Sequence, residues 1–307
     1  MSGSTLVERA PRAWALWAAS RPAQLLLVVV VYALGVVAAV ARGAALDDRA
    51  VLFGLAALLP TAAAIHYANE YADHKTDALT ERTPFSGGSG ALQATGLPRR
   101  LMSTAAVAAL TAGVGLAGAA LAVGLLPARA VAILAGSALV GVQYSVGPLA
   151  LARRGLGELA NAALGGVALP CYGAAVVGGL DRAAVLAALP FALLVFVNLL
   201  EIGWPDRRAD ADVGKDTLAV RWPPRRLRLA YGGVTVAAFA ALVALTEGLL
   251  VPAVIPRTVT LSTLPAMPIF VWGTVRFTER KAPLPAVLGM VLVAALQLVA
   301  WGYVAFG

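Results

Sequence analysis

Nine stretches of mostly apolar residues, most of them near twenty residues long, recur along this 307-residue chain. A bilayer core is crossed by a helix of about 20 such residues. The stretches fall at 22–41, 50–71, 101–126, 130–146, 156–177, 183–203, 227–249, 259–277 and 284–306. The fourth is the shortest, and Pro265 and Pro268 interrupt the eighth. Each run is continuous and lacks the period-two alternation of a membrane barrel strand. The chain therefore predicts an all-α integral membrane protein with about nine transmembrane helices. Composition agrees, because only 13% of residues are charged, where soluble domains carry about a quarter. Frequent Gly and Ala suit close helix contacts in lipid.

The first twenty residues carry Arg9 and Arg12 without a following apolar run and cleavage site, so they do not read as a secretory signal. Cys171 is the only cysteine, which excludes an intrachain disulfide and reads as a small apolar packer. With the amino terminus on one side, only Arg42, Arg49, Arg129, Arg182 and Arg257 fall opposite it, and every other Lys and Arg shares its side. That bias predicts a cytoplasmic amino terminus in a plasma- or inner-membrane setting. The formal charge of +8 then reflects topology and attraction to anionic headgroups, with no need for nucleic acid. No obligate protein partner is evident.

Two connections are long, at 72–100 and 204–226, and both fall on the cytoplasmic side as cap loops of a single membrane domain spanning 1–307. Each begins with acids. The four-helix spacing between them suggests a diverged repeat with a ninth helix appended. Asn69, Asp73 and Asp77 stand at i, i+4 and i+8, on one helical face. Asp206 and Asp210 repeat that spacing, with Pro205 suited to the first turn of a new helix. Ionisable groups beside a bilayer core are costly and usually functional. Carboxylates and a carboxamide in register can hold Mg²⁺, which takes oxygen ligands and shares them with substrate phosphates. A solvated helix end is the plainer reading of the first cluster. Asp212 and Asp216 form a pair on another face that fits simple pairing with Arg208 and Lys215. Glu201 lies about a turn below Asp206, at a depth where a carboxylate needs a polar cavity.

Arg82, Arg153, Arg154, Arg207, Arg208 and Lys215 surround these acids and could meet phosphate oxygens, although any one of them is equally explained by topology bias. The segment 83–90 is a glycine-rich loop able to wrap an anion or act as a lid; no Lys-Ser or Lys-Thr follows it, so it is not a nucleotide loop. His66 is as well explained by burial as by lining a site, and His74 reads as facing water. No zinc-protease motif or Ser-His-Asp arrangement occurs.

These residues resemble the UbiA-type intramembrane prenyltransferase superfamily. Its Asn-x-x-x-Asp-x-x-x-Asp signature is matched by Asn69, Asp73 and Asp77, and its second acidic motif by Asp206 and Asp210. Gly214-Lys215-Asp216-Thr217-Leu218 looks like the family's continuation, and Arg21-Pro22 also fits. Tyr144-Ser145-x-Gly147-Pro148 with Gly155-Leu156-Gly157-Glu158 is similar to the dihydroxynaphthoate polyprenyltransferase branch. One departure is Ile202, where the family often carries Asn four residues before Asp206; Glu201 or Asn198 could substitute. The resemblance implies nine helices around a cavity open to lipid. Mg²⁺ held by Asn69, Asp73, Asp77, Asp206 and Asp210 would carry a prenyl diphosphate, with Arg82, Arg154, Arg207, Lys215 and Glu201 assisting. Tyr67, Tyr71 or Tyr144 would face the allylic cation, unless they serve only packing. It implies transfer of the prenyl group to an aromatic or quinone-precursor acceptor. Cyclisation without an acceptor, as in a membrane terpene cyclase, uses the same metal sites and is the alternative. A transporter would explain intramembrane acids but not two metal-spaced clusters at one face.

Overall fold

The computed structural model describes residues 7–80, 82–83, 87–280 and 282–307. Residues 84–86 of the glycine-rich loop, Lys281 of the topology bias and the first six residues lie outside that set. Among the described residues there is no strand, and nine helices are long and apolar enough to cross a membrane. In chain order the helices are α1 (Pro11–Ala19), α2 (Pro22–Ala41), α3 (Asp48–Leu79), α4 (Ala91–Thr95), α5 (Arg100–Ala122), α6 (Ala128–Ser145) and α7 (Gly157–Val176). There follow α8 (Arg182–Asp212), α9 (Leu218–Arg221), α10 (Pro224–Glu247), α11 (Arg257–Glu279) and α12 (Leu284–Phe306). The nine apolar helices are all of these except α1, α4 and α9.

Local chemistry sets the helix starts. Pro11, Pro22 and Pro224 occupy first-turn positions, where a missing N–H costs nothing. Asp47 caps α3 by accepting from the amides of Arg49 (2.9 Å) and Ala50 (3.1 Å). Asp181 caps α8 through the Ala184 amide at 2.7 Å. α3 and α8 run well past their apolar portions and carry the acidic motifs on helix. Pro205 lies inside α8 and does not begin a new helix. Hydropathy marks where a helix leaves lipid, whereas backbone hydrogen bonding continues beyond it. The eighth span is locally irregular as expected, with a 3-10 turn at Leu264–Ala266 around Pro265.

α3 packs on α5 and α6, α2 on α7 and α12, and α8 on α10. The α2–α7 crossing depends on missing side chains. A Cβ on Gly35 would sit 2.0 Å from the Pro170 carbonyl oxygen, and one on Gly173 would sit 2.3 Å from the Tyr32 carbonyl oxygen. Such small-residue contacts let backbones approach where lipid offers no hydrophobic drive. Tyr32 and Tyr172 are buried beside this crossing and donate to the carbonyls of Val51 and Gly54, each at 2.8 Å, as buried phenols require. Helix α7 contains a π turn at Leu164–Ala168. At the end of the bundle away from the acidic motifs, two arginines grip the α7–α8 connection. Arg42 Nη2 donates to Gly179 O (3.3 Å) and pairs with Asp181 (3.7 Å). Arg129 donates to the carbonyls of Gly178 and Leu180.

Candidate active site

The carboxyl-terminal ends of α3 and α8 meet at one end of the bundle, joined by a lysine. Lys215 is 8% exposed; its Nζ lies 2.7 Å from Asp73 Oδ1 and 3.5 Å from Asp210 Oδ1. Its own amide donates to the Asp210 carbonyl at 2.8 Å, closing the end of α8 and folding the side chain back between the helices. Burial alone would lower the ammonium pKa, but Asp73 and Asp210 outweigh it and raise the pKa above the usual lysine value. Lys215 is thus held charged between one carboxylate of each motif.

The remaining acids complete the cluster. Asp77 lies within electrostatic reach of Asp73, Glu70, Arg21 and Lys215. Asp206 has Asp210, Lys215 and Asp73 as its charged neighbours, and the Gly87 backbone lies beside it. Asp77 Oδ2 and Asp206 Oδ1 are enclosed and have no hydrogen-bond partner among the described residues. An enclosed carboxylate oxygen without a donor is costly, and a hard divalent cation is the natural remedy. One such oxygen comes from each motif, so the donor set fits Mg²⁺ shared with a phosphorylated ligand. No group of three carboxylates among the described residues already converges on a single ion position; Lys215 lies between Asp73 and Asp210 in this arrangement.

Asn69 sits on the same stripe, but its carboxamide is fully engaged. Its nitrogen donates to Ser145 Oγ (2.7 Å) and Asp73 Oδ2 (3.0 Å), and its oxygen accepts from Arg21 Nη2 (3.1 Å). In this geometry Asn69 orients Asp73, and its oxygen faces Arg21. Tyr144 has Asp73, Glu158 and Asp210 as its charged neighbours and its ring beside Gly157. The other two tyrosines turn away: Tyr67 donates to the Leu16 carbonyl at 3.1 Å, and Tyr71 lies under the Arg99 guanidinium.

Several expected participants are directed elsewhere. Glu201 is 1% exposed, and one oxygen accepts from Tyr231 (3.1 Å) and from the Ala286 amide in the first turn of α12 (3.2 Å). It lies five residues before Asp206, well off that residue's helical face, and joins α8 to α10 and α12, so it does not replace the ligand missing at Ile202. Arg207 stacks over Trp204 at 3.6 Å and donates to the Trp204 carbonyl, because curling back over an indole desolvates little charge. Arg154 donates to the Pro148 carbonyl at 2.9 Å and is exposed. Arg82 is exposed, with its guanidinium against Gly90. Asp216 pairs with Arg221, whose hydrogen bond lowers its pKa, and not with Lys215. His66 Nδ1 donates to the Ser20 carbonyl (2.7 Å), fastening α3 to the α1–α2 turn. His74 is only partly open to solvent, with Nδ1 enclosed.

Three groups escaped the helical-face reading. Arg21, at a left-handed φ of 53°, reaches from the α1–α2 turn to Asn69 and Glu70. Glu70 is buried next to the metal-spaced stripe but about 100° around the helix from Asn69. Glu158 is buried and accepts from the Leu218 amide at 2.9 Å, fixing the segment that carries Lys215 to the start of α7.

Comparison with known proteins bears on family and fold. The UbiA prenyltransferase family profile matches residues 26–293. No curated protein sequence matches the chain significantly. Among solved structures, a UbiA homologue from Archaeoglobus fulgidus bound to GPP and Mg²⁺ superposes with a TM-score of 0.66 at 16% identity, covering 95% of this chain and 99% of that one. A structure described as digeranylgeranylglyceryl phosphate synthase gives 0.66 at 14% identity, covering 96% and 98%. The apo UbiA homologue from Aeropyrum pernix K1 gives 0.65 at 16% identity, covering 91% and 96%. At these identities the likeness establishes a shared fold.

Proposed function

Because this chain belongs to the UbiA prenyltransferase family, we propose that it ionises a prenyl diphosphate at the joined ends of α3 and α8 and passes the prenyl group to an aromatic or quinone-precursor acceptor. The observation that carries this reading is Lys215 bridging Asp73 and Asp210, since both acidic motifs then face one ligand. In this reading the acidic end faces the cytoplasm, with 72–100 and 204–226 capping it.

Asp73, Asp77, Asp206 and Asp210 would hold Mg²⁺. When bound, that ion supplies the positive charge that stabilises the departing diphosphate as the allylic C–O bond breaks. Lys215 would donate to the phosphate oxygens. Asn69 keeps Asp73 oriented through its carboxamide. The Tyr144 ring, with Asp73 and Asp210 among its charged neighbours, would face the allylic cation, since an aromatic face attracts positive charge. Apolar helix walls keep water from quenching that cation. Binding of GPP, DMAPP and Mg²⁺ by the Archaeoglobus fulgidus homologue supports the diphosphate assignment.

The test is incubation of purified protein with geranyl, farnesyl and geranylgeranyl diphosphates and Mg²⁺, with and without aromatic acceptors. Acceptor-dependent prenylated product is expected. Cyclic hydrocarbon or alcohol formed without acceptor would replace transfer by terpene cyclisation. Asp73→Ala and Asp206→Ala should each abolish diphosphate release while the protein still inserts; full turnover in either, or in excess EDTA, would refute the metal assignment.

A further inference from the structure

Glu70 has no role in the scheme above, yet it is among the most enclosed side chains of the protein, at 1% exposure. A buried carboxylate persists only with compensating donors. Here the donors come mainly from one distant residue. Ser89 Oγ donates to Glu70 Oε1 at 2.6 Å, and the Ser89 amide donates to Oε2 at 3.2 Å. Arg21 adds its charge 3.6 Å from Oε2. Ser89 Oγ also accepts from the Ala91 amide at 3.0 Å, so the same hydroxyl sets the start of α4.

What Ser89 anchors is the glycine segment lying across the acids. The Gly87 backbone lies beside Asp206 in the second motif. Gly88, at φ 69°, lies so close to Asp77 in the first motif that a Cβ would sit 2.1 Å from Asp77 Oδ2. Gly90 passes beneath the Arg82 guanidinium, where a Cβ would sit 2.1 Å from Nη1. The segment therefore touches two of the carboxylates that carry enclosed, unpartnered oxygens, one from each acidic motif. Glycine is needed at these points because no side chain fits and the backbone is left-handed.

We propose that Glu70 and Ser89 form a positioning latch. It fixes the 87–90 backbone over both acidic motifs, where that backbone borders the diphosphate of the incoming substrate. Glu70 touches no reacting atom and acts through Ser89. The inference rests on the diphosphate reading of the site and assigns the latch to diphosphate affinity.

The experiment compares wild type, Ser89→Ala, Glu70→Gln and Ser89→Thr in detergent. It measures the affinity for inorganic pyrophosphate with Mg²⁺ by calorimetry, the KM and kcat for a prenyl diphosphate, and hydrogen exchange of residues 87–95. Ser89→Ala and Glu70→Gln should weaken pyrophosphate binding at least tenfold, raise KM by more than they lower kcat, and speed exchange in 87–95. Ser89→Thr, which keeps the hydroxyl, should restore all three. A purely structural staple would change exchange while leaving pyrophosphate affinity at the wild-type value, and that outcome overturns the proposal. So does unchanged exchange in both variants. Failure of the wild-type protein to bind pyrophosphate would instead overturn the diphosphate reading itself, and the role of the latch with it.

Discussion

Replacing Lys215 by methionine keeps most of its volume and removes the charge shared by Asp73 and Asp210. At an effective dielectric constant near 20, pairs at 2.7 Å and 3.5 Å correspond to gross attractions of about 6 and about 5 kcal/mol. Desolvation of the three mostly buried groups offsets much of that, and removing one partner from a buried set typically costs about 3–5 kcal/mol. In the variant two carboxylates face each other without a counter-charge. A divalent cation restores that compensation, and recovery of even 2 kcal/mol amounts to about a thirtyfold gain in affinity. Lys215→Met should therefore melt at a lower temperature than wild type, bind Mn²⁺ alone about thirtyfold more tightly, and bind pyrophosphate more weakly. Manganese titration followed by electron paramagnetic resonance, repeated with pyrophosphate, reads both affinities. Metal binding no tighter in the variant than in wild type would refute the idea that Lys215 and the ion compete for the same carboxylates. The pH dependence has a definite sign. The Lys215 pKa is raised by folding, so its stabilisation is present at neutral pH and is lost only as pH rises through the folded-state value. The melting difference between wild type and variant should stay constant from neutral to moderately alkaline pH and shrink beyond the usual lysine range.

Other substitutions separate support from chemistry. Gly35→Ala forces α2 and α7 apart at the Pro170 carbonyl and should cost about 1–3 kcal/mol, read as a lower melting temperature; an unchanged melt would contradict the crossing. Glu201→Leu should destabilise the protein by disconnecting Tyr231 and the α12 terminus, while Mn²⁺ affinity stays at the wild-type value; a tenfold weaker metal would return Glu201 to the site. Arg207→Ala should leave KM for a prenyl diphosphate within about twofold, since its guanidinium lies on Trp204, and a large KM increase would show that it swings to the substrate.

Long apolar runs made the nine spans legible, because a bilayer demands about 20 such residues whatever their order. The stripe of Asn69, Asp73 and Asp77 was legible because helical spacing is local, and Asp206 with Asp210 for the same reason. The lengths of α3 and α8 were not, since hydropathy falls off at the lipid boundary while the helix continues to Leu79 and Asp212. The short helices α1, α4 and α9 carry too few residues for a periodic signal. Glu70 was hidden because its partner returns from 19 residues away through a loop whose path the sequence does not encode locally. Glu201 and Arg207 are engaged elsewhere; closeness in sequence to Asp206 says nothing about the face on which a side chain leaves α8.

The two ends of the bundle differ in how freely they can give. Opposite the acids, Arg42 and Arg129 rivet the α7–α8 connection through its carbonyls, and the glycine crossing of α2 and α7 leaves no slack beneath it. At the acidic end, α3 and α8 are joined by the Lys215 ammonium and by the 87–90 segment lying across both motifs, and a ligand can relieve the ammonium of its partners. Compliance is therefore lopsided: a guest that swaps partners with Lys215 rearranges contacts at one end only, while the start of α8 stays pinned at the other.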